Sequence, residues 1–212
     1  HLSFVQQARF FAFKGYSVIV PDMPGHGFSK GKPLNSINEN ANWVYELLVE
    51  LEVQELVILG HSQGCLVGLE LNRLYPEFLK GIIFVAGSNE IPVNQFLLDL
   101  SKEDPQKASN MMVTWGHGID GDMSTNNWPG HSHHGEGNNI MKMNTADALQ
   151  NDLNSINNYN SGVEASKKVN IPSLAVLAKN DQMTPLKSGL KFVDLLKNLS
   201  LIHISEPTRP LE

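Results

Sequence analysis

A chain of 212 residues, 41% of them hydrophobic, is long enough for one sizeable domain with its own core. A formal net charge of −6 with no basic block argues against nucleic acid or an anionic membrane surface as the main partner. A single cysteine, Cys65, excludes an intrachain disulfide framework, and no apolar run approaches the roughly 20 residues of a membrane span. The cysteine usage fits a cytoplasmic protein, although the chain opens on His1 with neither a start methionine nor a signal-peptide pattern.

In chain order, residues 3–14 read as a helix, with Ser3 and Gln6 at capping-box spacing, Phe4, Ala8 and Phe11 on one face and Gly15 suited to the C′ position. Tyr16 to Val20 reads as a buried strand, ended by Pro21 and a turn-rich stretch that contains Pro24-Gly25-His26-Gly27. A second helix is expected from about Ser36 to Glu52, with Ser36 and Glu39 as another capping box and a stripe of Ile37, Ala41, Val44, Leu48 and Leu51. Glu55–Leu59 follows as a strand, Ser62–Leu74 as a helix and Gly81–Ala86 as a strand. Farther on come a strand at Ser173–Ala178, a helix at Leu186–Leu196 and a short strand at Leu199–Ile204. Strands without polar alternation, separated by amphipathic helices, predict an α/β fold with a mostly parallel sheet covered by helices on both faces.

Residues 88–168 interrupt that rhythm with three expected helices, around Val93–Leu100, Pro105–Trp115 and Ala146–Ile156. Between the last two lies a long stretch rich in glycine and asparagine, read as a loop; inside a compact domain such a loop is usually a lid or disordered.

The chemistry concentrates in "VILGHSQGCLVG", residues 57–68. Strand, Gly60-His61-Ser62-Gln63-Gly64, then helix is the context that a G-x-S-x-G nucleophile elbow requires. The turn forces the serine into a strained conformation and leaves no room for side chains two residues on either side, which is the expected role of Gly60 and Gly64. The helix that follows aims its first N–H groups, Gln63 foremost, at the place where an oxyanion develops.

Three segments in register resemble the α/β-hydrolase superfamily, in its branch of small serine hydrolases with a helical cap: "KGYSVIVPDMPGHGFSKG", "LVILGHSQGCLVGLELNRLYPEFLKGIIFVAGS" and "VNIPSLAVLAKNDQMTP". The resemblance implies 1–87 as the first part of the hydrolase core, 88–168 as a helical cap insertion and 169–202 as the last part of the core. Residues 203–212 resemble foreign sequence. It implies an esterase-type activity on a small-molecule substrate without a cofactor, with the nucleophile first, then the acid, then the histidine. Asp181, in the turn after the late strand, takes the acid position; the alternative position holds Gly87, Ser88 and Asn89, none of which is an acid.

The base has no such clear seat. The resemblance expects a Gly-His loop after the final strand, and His203, which continues the apolar run "LSLI" without a preceding glycine, is the one histidine there. The second oxyanion loop would precede His1, so the chain reads as an internal fragment whose own catalysis is impaired or absent. His26 reads as a turn residue, and His61 as a neighbour of the nucleophile that points elsewhere. His131, His133, His134 and Glu136 raise a metal site, for which solvated loop histidines are the preferred account. Met111, Met112, Trp115, Met123, Trp128, Met141 and Met143 suit either an apolar acyl pocket or simple packing of the cap. The same scaffold also serves carbon–carbon bond hydrolases, lactonases and cofactor-free haloperoxidases, whereas the serine argues against relatives that place aspartate in the elbow, the haloalkane dehalogenases and epoxide hydrolases.

Overall fold

The computed structural model describes residues 1–117 and 132–204, with the backbone alone for His203 and Ile204. It forms two compact units, His1–Leu34 with Asn94–Asp152, and Asn35–Val93 with the chain from Leu153 onward.

The second unit holds the sheet. Strands β1 (Leu56–His61), β2 (Leu79–Val85), β3 (Ser173–Ala178) and β4 (Leu199–Ile204) lie side by side in sequence order, every pair parallel. The register sets Gly60 beside Phe84, Phe84 beside Ala175, and His61 beside Val85. All four strands therefore end at one carboxyl edge, and the connections leaving that edge carry the candidate site.

This unit also contains helices α2 (Ile37–Glu50), α3 (Gln63–Leu74), α8 (Gly162–Lys167) and α9 (Leu186–Val193). On one sheet face Ile82 and Phe84 are buried in a core shared with Leu69 of α3, Ala41 of α2, Ala165 of α8 and Phe192 of α9, and Ala175 and Leu177 of β3 are buried as well. Phe84 meets Phe192 edge to face, centroids 4.9 Å apart. Residues of the alternate face, Val57, Ile83, Val85 and Val176, are half-buried or exposed. Ser36 caps α2 as its spacing implies, its Oγ accepting from Glu39 N at 3.1 Å. Glu39 reaches back one residue further than the simple capping box, to Asn35 N at 2.9 Å.

In the first unit, α1 (Val5–Phe13) follows a 3-10 turn at Leu2–Phe4 and has no side-chain cap, so the expected Ser3 capping box does not form. Gly15 closes α1 at φ +89°, as the C′ position demands. Tyr16–Val20 is corrected from strand to irregular chain, with Tyr16, Val18 and Ile19 exposed. A strand exists only through its ladder, and among the described residues this segment pairs with none.

Helices α4 (Gln95–Glu103) and α5 (Pro105–His117) match two expected helices, and α7 (Ala148–Asn157), the third, crosses from this unit into the other. Helix α6 (His133–Met141) falls where a loop was expected; Ser132 caps it, its Oγ accepting from Gly135 N at 3.1 Å. No helix among the described residues is long and apolar enough to cross a membrane.

Candidate active site

Ser62 is the hinge between β1 and α3, with φ 52° and ψ −116°, a conformation that non-glycine residues rarely hold. Two backbone hydrogen bonds fasten it. Its own N–H donates to Val85 O of the adjacent strand at 3.0 Å, its carbonyl accepts from Cys65 N at 2.9 Å, and the chain runs directly into α3. Gln63 is the first residue of that helix, so its N–H belongs to the first-turn donors that lack an intrahelical acceptor.

The two elbow glycines are not equivalent. A Cβ on Gly60 would run into the Gly64 carbonyl and lie 2.7 Å from Cys65 N, whereas a Cβ on Gly64 would meet nothing within 4 Å. The expected crowding on both sides is thus corrected to crowding on one: the side chain forbidden is that of Gly60, because its space is filled by the backbone of the next helical turn. Cys65 lies beneath the turn, its thiol donating to Gly60 O at 3.2 Å, and burial pushes that thiol up to about 12.

Asp181 lies in the connection from β3 to α9, at the same carboxyl edge as Ser62 with β2 between their strands. Its Oδ1 accepts from Met183 N at 2.9 Å and Thr184 N at 2.8 Å, and its Oδ2 accepts from the Thr184 hydroxyl at 2.8 Å. Three of roughly four acceptor directions are thereby used, leaving one on Oδ2. His61 feels the Asp181 charge: crowding by protein atoms holds its imidazole below the ordinary value, and the carboxylate opposes that shift. The structure therefore brings His61, Ser62, Gln63 and Asp181 to one edge of one sheet.

His203 is part of β4, opposite Leu177 and one residue from the strand's end, so its backbone lies in the ladder at that same edge. The other histidines have different surroundings. His26 is fixed in its turn by Nδ1 to Pro24 O at 2.9 Å and Nε2 to Asp152 at 2.9 Å. Burial by itself lowers its pKa, but the Asp152 bond and charge outweigh that and raise it. His117 stacks on His133, centroids 5.5 Å apart. Burial and then the charges of His133 and His134 hold His117 below the ordinary value. Among the described residues no three His, Cys, Asp or Glu side chains are placed to hold a metal ion. His131, Met123 and Trp128 lie outside the described residues.

Two residues escaped the sequence reading. Ala86 holds φ 47° just after β2, and buried Thr184 reaches it, its Oγ1 2.8 Å from Ala86 O. Elsewhere in this unit Glu70 of α3 is buried within a cluster of donors, Arg73 Nε at 2.9 Å, Asn38 at 3.1 Å and Tyr159 OH at 3.1 Å. Burial raises its pKa, but the hydrogen bonds from Arg73 and Asn38 win and lower it overall. The Glu70–Arg73 spacing of three was the one signal of this clasp in the sequence.

The alpha/beta hydrolase fold family matches residues 1–115, and the chain belongs to it. A putative esterase/lipase 2 of Mycoplasma pneumoniae is 22% identical over 197 residues, covering 90% of this chain and 70% of that protein. Epoxide hydrolase 1 of Oryctolagus cuniculus is 37% identical over 70 residues, but these are 32% of this chain and 15% of the rabbit protein. An esterase from Exiguobacterium antarcticum superposes with a TM-score of 0.84 at 14% identity, covering 96% of this chain and 78% of its own, a likeness of fold. Both the family and the fold are those of hydrolases.

Proposed function

We propose that this hydrolase is a serine esterase acting on small to medium ester substrates through an acyl-enzyme. The observation that carries the reading is Ser62, a non-glycine residue held at φ 52° between a strand end and a helix start. Such strain persists at sites where the surrounding structure over-determines it, and here it keeps a hydroxyl at the sheet's edge. In this scheme Ser62 Oγ attacks the carbonyl carbon as a base takes its proton. The ester C–O bond breaks and the alcohol leaves with that proton. Water, deprotonated by the same base, then attacks the acyl-enzyme to release the acid and restore Ser62. The Gln63 N–H stabilises the oxyanion, and Asp181 orients the imidazole through the acceptor direction left on Oδ2. His203, which alone among the histidines follows Asp181 in sequence, is assigned as the base to be tested. No metal or organic cofactor enters the scheme, and a cytoplasmic location goes with it. An elbow serine favours this chemistry over that named for the rabbit epoxide hydrolase, since an alkyl-enzyme ester needs a carboxylate nucleophile.

The test is turnover of p-nitrophenyl esters of increasing acyl length. S62A is expected to lose at least about 10³-fold and D181N about 10²- to 10⁴-fold, with H203A measured alongside. Unchanged turnover in S62A would overturn the reading; unchanged turnover in H203A alone would move the base elsewhere.

A further inference from the structure

We infer that Thr184 is a positioning residue, whose hydroxyl fixes the orientation of the Asp181 carboxylate beside the turn that follows β2. The inference rests on the esterase reading and deepens it.

Two consecutive residues at the end of β2, Val85 and Ala86, lie between the two halves of the site. Val85 O accepts from Ser62 N at 3.0 Å, while Ala86 N donates to Val176 O at 2.9 Å and Ala86 O lies 2.8 Å from Thr184 Oγ1. Thr184 Oγ1 is in turn 2.8 Å from Asp181 Oδ2. Thr184 Oγ1 therefore lies against both an acid oxygen and the carbonyl next along the chain from the one that holds Ser62 N.

The turn after β2 is also closely packed. A Cβ on Gly87 would collide with the Cys65 thiol under the elbow, and a Cβ on Gly189 would lie 2.9 Å from Leu177 and 3.4 Å from Gly87 O. Ser88 Oγ adds a bond to Ser188 O at 3.3 Å. Glycine at both positions is thus what lets the turn after β2 pack against Cys65 and α9.

Proton accounting makes the threonine specific. A hydroxyl carries one proton, so Thr184 donates to either Asp181 or Ala86, and an ionised carboxylate is the stronger acceptor. Thr184 is 6% exposed, which leaves little room for water to replace it. With the hydroxyl gone, Oδ2 loses its anchor and the carboxylate is held through Oδ1 alone, so the aim of its remaining lone pair is less tightly set.

The test compares T184V, which removes the oxygen at constant shape, with T184S, which keeps it. For p-nitrophenyl ester hydrolysis T184V is expected to lower kcat about tenfold with KM within about twofold, and T184S to restore kcat to within about twofold. In a D181N background T184V is expected to cost less than about twofold more, because the group it positions is already gone. Thermal midpoints are recorded for every variant, and if T184V does not fold, T184A removes the same oxygen with the same expected loss. Equal kcat in wild type and T184V, a T184S as poor as T184V, or full additivity with D181N each overturns the inference. The control S62A separates the two failures, since unchanged turnover there sinks the esterase reading and leaves the Asp181–Thr184 coupling to be read from the thermal midpoints alone.

Discussion

Two sharp turns in this protein solve the same backbone problem with different residues. In the Pro24–Gly27 turn the left-handed conformations fall on Gly25 (φ 77°) and Gly27 (φ 52°), where they cost little. Their missing side chains make room for Pro33 and for the Asp22 carboxylate, each within 3 Å of where a Cβ would stand. In the elbow the left-handed position falls on Ser62, and the glycine sits two residues earlier, at Gly60. The first turn places glycine at the strained positions; the elbow keeps the strain on a residue that carries a hydroxyl and clears space elsewhere.

That contrast predicts unequal sensitivity. G60A should be the most damaging change, because its methyl meets the backbone of Gly64 and Cys65, which cannot move without unwinding the start of α3. A loss of about 3 kcal/mol or more is expected, read from urea midpoints. G27A should cost less, about 1–3 kcal/mol, since the atoms it meets belong to the Asp22 side chain, which can swing away from Phe28 N. Equal costs for the two would break the comparison.

The pH dependence sharpens it further. His26 bridges Pro24 O and Asp152 and has a raised pKa, with Asp152 and Asp22 as the carboxylates that face it. Its contribution to stability is fully present below the unfolded-state pKa near 6.5 and is lost as pH rises through its higher folded value. H26Q should therefore flatten the stability profile between pH 6 and 8, approximately, by a modest amount, and leave the profile around the elbow unchanged. The smallest effect is expected at G64A, where a helical position with open space for a methyl should gain up to about 0.5–1 kcal/mol.

What could be read from the sequence divides along the same physical line. β1, β2, β3 and β4 were legible because short apolar runs between turn residues are what a parallel sheet buries, and the elbow because its glycine and serine follow from local geometry. Tyr16–Val20 has the same composition and is no strand, since composition does not show whether a partner ladder is present. Helix α6 was hidden by its glycines and asparagines, which have poor intrinsic propensity; the Ser132 cap and the His117–His133 stack support it instead. The seat of Asp181 in the turn after β3 was legible from motif order, whereas the surroundings of Thr184 were not, because its Oγ1 lies against a carbonyl 98 residues away in sequence. No spacing rule encodes such a contact.

The central claim is that Ser62 is an activated nucleophile. Its most direct test is reaction of the intact chain with a fluorophosphonate probe, followed by mass spectrometry of the modified peptide. The account predicts a single adduct on Ser62 that disappears in S62A and slows in D181N. An adduct on another serine, or labelling that persists in S62A, would contradict it.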